Sequence, residues 1–88
     1  MDNRKRLVEM EARLRAALQP SELQLLDESH LHAGHAGALT GKGHFAVRIV
    51  SEQFRDKLPL ARHRLVYAAL GELMETDIHA LRIDAQAP

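Results

Sequence analysis

The segment from Leu58 to Ile83 constrains the fold most, because its apolar pattern changes from a helical to an alternating period. Apolar residues first recur at three- and four-residue steps, which predicts one amphipathic helix: Val66, Ala69, Leu70, Leu73 and Met74. Pro59 suits the first turn of this helix, where a missing N–H costs nothing. Gly71 lies inside the run at a cost of about 1 kcal/mol relative to alanine, and close packing is the expected reason.

The residues after this helix alternate from Ile78 to Asp84, which predicts a short strand. His79, Leu81 and Ile83 share one side of the strand. We expect Leu81 and Ile83 to face the helices, which puts His79 at the start of the strand, near the rim of the sheet.

The N-terminal part of the chain predicts a helix over residues 3–18, capped by Asp2 or Asn3 and ended by Pro20. The apolar stripe of this helix consists of Leu7, Met10, Leu14, Ala17 and Leu18. Its exposed side offers two i,i+4 ion pairs, Glu9–Arg13 and Glu11–Arg15. We interpret its positive charges as a solvated helix face.

Two further strands, over residues 22–28 and 44–51, and a helical turn over 52–57 complete the predicted elements. The strands flank a long loop that contains four glycines. The first two strands should be antiparallel, and the last should pair parallel to the second through a right-handed crossover. The prediction is an α+β fold: an αββααβ two-layer sandwich with helices on one face of a three-stranded mixed sheet.

Length and composition restrict the class of protein. The 88 residues predict a single domain, residues 1–88. The absence of cysteine excludes a disulfide framework and a thiolate ligand from this chain. Neither a membrane-spanning run nor a signal-peptide pattern is present, so a cytoplasmic protein is expected. Ser29 and Ser51 lie near histidines without the pattern of a catalytic nucleophile, so nucleophilic catalysis by either serine is not expected.

A basic cluster lies at the start of the long helix, although the formal net charge is zero. Lys57, Arg62 and Arg64 are therefore candidate contacts to nucleic-acid phosphates. The string from Gly34 to Gly37 matches the GxxG loop of KH domains. It lies between two strands rather than two helices, so we interpret this match as accidental.

Histidine is the abundant reactive residue, at positions 30, 32, 35, 44, 63 and 79. Neutral imidazole is a common ligand of zinc, copper and iron. His30, His32 and His35 share one loop, and such spacing can chelate a metal; solvent-exposed loop histidines without a ligand are the alternative. Because the chain has no thiolate, a soft metal or cluster would need sulfur from a partner.

Several strings together resemble the BolA-like family: DES at 27–29, HF at 44–45, VS at 50–51, Phe54, LPLARHRLVYAAL from 58 and HALRI from 79. The similarity covers nearly the whole chain from Leu7 onward, and the RHRLVY and HAL strings are its most specific part. The resemblance implies a class II KH-like αββααβ fold without the GxxG clamp, in agreement with the fold predicted from the residue pattern.

This resemblance implies a non-enzymatic protein that pairs with a monothiol glutaredoxin. The pair would hold a [2Fe–2S] cluster, with sulfur from the glutaredoxin cysteine and from glutathione. His79 of the HAL string would be one ligand. Aligning DES-x-x-H selects His32 as the second ligand, with His30 and His35 as alternates. Imidazole in place of thiolate is known in [2Fe–2S] ligation and raises the reduction potential.

The same resemblance implies a competing function. Other members of the family are described as transcriptional regulators that affect cell morphology under stress. DNA would then be the partner, and Lys57, Arg62 and Arg64 at the start of the long helix would contact it.

Overall fold

The helices and strands follow the predicted order in a computed structural model that describes residues 2–32 and 41–88. Within those residues the elements are α1 (Asn3–Leu18), β1 (Glu22–Asp27), β2 (Gly43–Val50), α2 (Pro59–Leu70), α3 (Leu73–Thr76) and β3 (Ile78–Gln86). Single turns of 3₁₀ helix cover Ser29–His32 and Glu52–Phe54. None of the helices in this described part is both long and apolar enough to span a bilayer.

β2 lies in the middle of the sheet, between β1 and β3. β1 pairs antiparallel with β2, and Asp27 lies opposite Phe45. β3 pairs parallel with β2, and α2 and α3 form the crossover that parallel strands require. The predicted α+β architecture, with a three-stranded mixed sheet, is therefore confirmed for the described residues.

One face of the sheet carries the hydrophobic core, and α1 and α2 both pack on it. Phe45, Val47 and Ile49 of β2 alternate onto this face and are at most 3% exposed. They meet buried residues of the helices and of the Glu52–Phe54 turn: Met10, Leu14, Leu18, Phe54, Val66, Leu70 and Leu73. Burial of each large side chain contributes about 1.5–3 kcal/mol, so this face fixes the helices on the sheet.

The buried stripe of α1 differs in part from the predicted one. Asp2 caps the helix, and its Oδ1 accepts a hydrogen bond from the Lys5 N–H at 2.9 Å. Met10, Leu14 and Leu18 are buried as predicted, and Arg6 continues the same i,i+4 row. The prediction that Ala17 is buried was wrong, and Ala17 is exposed. It precedes Leu18 by one residue, so its side chain lies off the buried i,i+4 row. Both predicted ion pairs are confirmed: Glu9–Arg13 (2.9 Å) and Glu11–Arg15 (3.1 Å).

The helix predicted to continue through Met74 ends at Leu70 instead. Gly71 has a φ of 57°, in the left-handed region that glycine adopts without steric cost. An added Cβ at Gly71 would lie 3.4 Å from Arg13 Nη1, which a flexible side chain can relax. Backbone conformation, rather than the expected close packing, therefore explains this glycine. Arg13 Nη1 also donates to the carbonyl of Leu70 at 2.9 Å and satisfies the helix end.

β3 begins with an irregularity that affects His79. Gly43 pairs with Ile78, but His44 pairs with Ala80, so His79 is an extra residue on the β3 side. Ile78 is 2% exposed, whereas His79 and Ala80 are both exposed. The rim position predicted for His79 is confirmed. The strict alternation predicted for the first residues of the strand was wrong, because a bulge changes the phase of the side chains.

Candidate functional site

The end of the sheet where β1 stops and β2 and β3 start brings together the segments that carry the candidate ligands. The N–H of Glu28, directly after β1, donates to the carbonyl of His44 at 2.8 Å. The N–H of Gly43 donates to the carbonyl of Asp77, directly before β3, at 2.9 Å. The turn Ser29–His32 and the starts of β2 and β3 therefore lie at one end of the sheet.

His79 presents an exposed imidazole at this end, next to the ring of His44. The two ring centroids are 5.0 Å apart, and the ring planes are inclined by 50°. His44 is 5% exposed. The buried ring of His44 thus packs against the inner side of the His79 ring, while the His79 ring itself is exposed to solvent.

The turn Ser29–His32 carries two of the three loop histidines predicted as alternative ligands. His30 is exposed on this turn. The backbone of the turn runs through His32, whose side chain lies outside the part that the structure describes. His35 lies wholly outside the described residues. The choice among the three histidines therefore stays a prediction.

Ser29 fixes the root of this turn through hydrogen bonds to three other segments. Its Oγ accepts from Asn3 Nδ2 and from the His44 N–H, each at 3.0 Å. Its N–H donates to Asp27 Oδ1 at 2.9 Å. The first residue of the histidine turn is thereby held against α1, β1 and β2 together.

The metal-binding donors exposed at this end of the sheet are imidazole nitrogens. His30 and His79 are exposed nitrogen donors, and the sequence contains no cysteine. Within the described residues, no three metal-ligating side chains converge. Imidazole replaces thiolate on the iron of some [2Fe–2S] centres, so these histidines fit a partial ligand set.

Two carboxylates close to this end have lowered pKa values. Burial raises the pKa of Asp27, but hydrogen bonds from Ser29 and other neighbours outweigh it and bring the pKa below its ordinary value. Hydrogen bonds from Thr76 and then from Arg6 lower the pKa of Asp77. Arg6 Nε lies 2.9 Å from Asp77 Oδ1, and the two side chains are 10% and 13% exposed. Both carboxylates are therefore ionised acceptors near neutral pH.

Acid is expected to destabilise the protein partly through these carboxylates. Because their pKa values are lower in the folded than in the unfolded chain, their stabilisation is lost as pH falls below about 4. The Asp77→Asn variant should show a smaller loss of stability between about pH 6 and pH 3 than the native chain. Urea unfolding at both pH values measures this, with Asp84→Asn as an exposed control. Equal pH dependence in the two variants would contradict the assignment.

The basic junction before α2 lies near the opposite end of β3. Lys57 and Arg64 are exposed. Arg62 is half-buried, and its guanidinium donates to the carbonyls of Lys57 (2.8 Å) and Ala85 (2.9 Å). Lys57 and Arg64 are thus the predicted phosphate contacts that lie open to solvent, while Arg62 binds the backbone of its own chain.

A family model described as BolA-like protein matches residues 14–88. The chain belongs to the BolA-like family. Its BolA-like relatives include BolA-like protein 1 of Mus musculus, which is 47% identical over 77 residues. This match covers 88% of the present chain and 54% of the mouse protein, so the chain spans about half the length of that relative.

Two more comparisons concern fold and function. The DNA-binding transcriptional regulator BolA of Escherichia coli is 42% identical over 74 residues, which cover 84% of this chain and 68% of the relative. The BolA domain of SufE1 from Arabidopsis thaliana superposes with a TM-score of 0.83 at 40% identity, over 94% of this chain and 92% of that one. The names of the mouse and Escherichia coli relatives describe a BolA-like protein and a regulator, not an enzyme.

The contact between His44 and His79 in this BolA-like chain was missed by the interpretation of the sequence. The residue pattern gives His44 no role beyond its place among six histidines. The available signal was strand register, because the starts of adjacent parallel strands lie side by side. Counting along the predicted second and last strands would have put these two histidines at the same end of the sheet.

Proposed function

We propose that this BolA-like protein pairs with a monothiol glutaredoxin and supplies imidazole ligands to a [2Fe–2S] cluster held between them. The observation that carries the proposal is the exposed ring of His79, which lies at the same end of the sheet as the turn bearing His30 and His32. The BolA-like family membership supports it, because the segments at this end of the sheet contain three of the strings that carry the resemblance: DES, HF and HAL.

The ligands divide between the two proteins in this proposal. The glutaredoxin cysteine and glutathione provide sulfur, and this chain provides His79 and one histidine of the loop, His32 with His30 and His35 as alternates. Imidazole ligation raises the reduction potential of a [2Fe–2S] centre. The ring of His44 packs beside that of His79, with centroids 5.0 Å apart. A cytoplasmic location is part of the same proposal.

The position of β3 leaves room for such a partner. β3 pairs with β2 on one side and is an edge strand of the sheet in the described residues. His79 lies at the start of this edge strand and is exposed. No described strand covers this side of β3, so a second protein can approach the exposed His79 there without displacing an element of the described core.

Reconstitution of the purified chain with a monothiol glutaredoxin, glutathione, iron and sulfide tests the proposal. We expect a coloured complex that contains both proteins and elutes together in gel filtration. Its visible circular dichroism should differ from that of glutaredoxin reconstituted alone, because the ligands differ. Separate elution of the two proteins, with the spectrum of glutaredoxin alone, would contradict the proposal.

Binding to DNA is a second candidate function, favoured by the name of the Escherichia coli relative and by the exposed basic side chains of Lys57 and Arg64. Each phosphate contact contributes about 0.9 to the slope of log affinity against log salt. The double variant Lys57→Ala, Arg64→Ala should therefore lower that slope by about 2 on duplex DNA.

The control for this experiment removes the same charge from α1, in the variant Arg4→Ala, Arg15→Ala. Both control side chains are exposed. Fluorescence anisotropy of a labelled duplex over a range of salt concentrations gives the slopes. Equal slopes in the two double variants, or no binding at low salt, would remove the DNA hypothesis.

A further inference from the structure

A continuous set of side-chain hydrogen bonds runs from the first turn of α1 to both histidine-bearing segments. Arg6 donates through Nε to Asp77 Oδ1 and through Nη1 to Asn3 Oδ1, each at 2.9 Å. Asn3 Nδ2 donates to Asp27 Oδ2 at 3.1 Å and to Ser29 Oγ at 3.0 Å. We call Asn3, Arg6, Asp27, Ser29 and Asp77 the polar bridge.

The two ends of the polar bridge are the residues from which the histidine segments start. Asp77 directly precedes β3 and lies two residues before His79. Ser29 directly precedes His30, and its Oγ also accepts from the N–H of His44. Asn3 and Arg6 thus connect the start of β3 with the start of the histidine turn by bonds that do not pass through the strands.

The surroundings hold the polar bridge in one arrangement. Arg6 is 8% exposed, and a charge so well buried is tolerated when partners satisfy it. Gly43 leaves the space that Asn3 occupies, because a Cβ added at Gly43 would lie 2.9 Å from Asn3 Oδ1. The planar guanidinium of Arg6 donates to two acceptors in a fixed geometry. A lysine ammonium on its flexible side chain would fix the positions of the two acceptors less well.

We propose that Asn3 and Arg6 are positioning residues, which set the spacing between His79 and the turn Ser29–His32 and so preorganise the imidazole ligands that these two segments carry. This inference rests on the proposed function. The hydrogen bonds of these two side chains within the described residues go to Asp27, Ser29, Asp77 and each other, so both act through Asp77 and Ser29. Loss of groups that orient metal ligands commonly weakens metal binding 10- to 100-fold, because the ligands then have to be ordered on binding.

Two variants remove the polar bridge, and two controls match their chemistry. Asn3→Ala deletes the bridging amide, and Gln53→Ala deletes an amide that bonds the carbonyl of Ala17 elsewhere on the surface. Arg6→Met deletes the buried guanidinium, and Arg15→Met deletes an exposed one on the same helix. If Arg6→Met does not fold, Asn3→Ala still decides the question, because it leaves no charge unpaired.

Amide hydrogen exchange and cluster lifetime are the two readouts. In Asn3→Ala we expect faster exchange both at residues 29–32 and at residues 78–80, with Gln53→Ala unchanged at both. The half-life of the cluster shared with a monothiol glutaredoxin should fall about 10-fold in Asn3→Ala and change less than twofold in Gln53→Ala. Relative to Arg6→Met, the Arg6→Lys variant should recover more of the thermal stability than of the cluster lifetime. If the role of Arg6 were purely structural, both properties would recover together.

The outcomes separate this inference from the proposed function. If the native pair forms no shared cluster, the proposed function fails. If the native pair forms the cluster, but its lifetime is the same in Asn3→Ala and Gln53→Ala, the positioning role fails and the proposed function stands. Faster exchange at one histidine segment alone would also overturn the bridge, because its two ends would then not be coupled.

Discussion

In the His79→Ala variant we expect the cluster shared with a monothiol glutaredoxin to be lost, with visible circular dichroism reduced to that of glutaredoxin alone. The ring of His79 is exposed at the end of the sheet where the histidine turn is anchored, so its removal takes one ligand from the proposed site. Because the side chain is exposed, the free energy of unfolding should change by less than about 0.5 kcal/mol. The spectroscopic loss would therefore not come from unfolding.

The matched control is His63→Ala. His63 is half-buried on α2 and follows Arg62, whose guanidinium reaches Ala85 near the far end of β3. This variant removes an imidazole at a distance from the proposed site and should keep the native spectrum. A His79→Ala complex with an unaltered spectrum would refute His79 as a ligand. Among single alanine variants of His30, His32 and His35, the one with the largest spectral change identifies the loop ligand.

The Gly43→Ala variant should lose about 3 kcal/mol of stability, at the upper end of the cost of overpacking a core. A Cβ at Gly43 would overlap the ring of Phe45, which is 1% exposed and cannot move aside. The same Cβ would press on Asn3 Oδ1 and disturb the polar bridge. Urea unfolding of the variant and the native chain measures the difference.

Gly41→Ala is the control for this substitution, because the same methyl group meets a different environment. An added Cβ at Gly41 has no heavy atom within 4 Å among the described residues. Its φ of 78° is left-handed, so alanine there costs about 1 kcal/mol through backbone strain. Equal losses of stability at the two glycines would show that the space beside Phe45 is not limiting.

The sequence predicts most of the fold, because local signals and the hydrophobic pattern agree. Pro20 and Pro59 mark the end of α1 and the start of α2, and the alternation of Phe45, Val47 and Ile49 defines the inner face of β2. Parallel pairing of β3 follows from the helical crossover. The helix boundaries and the alternation depend on residues that are close together in the chain, and the parallel direction of β3 depends only on the type of connection between the strands.

Most of the features that sequence reasoning missed depend on contacts between distant segments, and one depends on a single backbone angle. In the sequence Arg6 has the pattern of a surface charge, but in the structure it is buried and binds Asp77, which lies 71 residues later in the chain. The sequence predicts that Gly71 lies within the helix, but its positive φ shows that α2 ends there. The bulge at His79 and its contact with His44 depend on the register between two strands. The candidate ligand segments were therefore predicted, but their spatial relation was not.

The hydrogen bond from Arg62 to Ala85 has a consequence for self-association. Carbonyls alternate in direction along a strand, and the carbonyl of Gln86 accepts from the N–H of Ser51 on the side of β2. The carbonyl of Ala85 therefore points to the outer edge, where Arg62 Nη1 binds it. A strand from another molecule that approached this edge would find the carbonyl of Ala85 already bound and the side chain of Arg62 in the way. Both features discourage edge-to-edge aggregation. Replacement of Arg62 would thus remove both a positive charge and a side chain that protects the edge of β3 from pairing with a strand of another molecule.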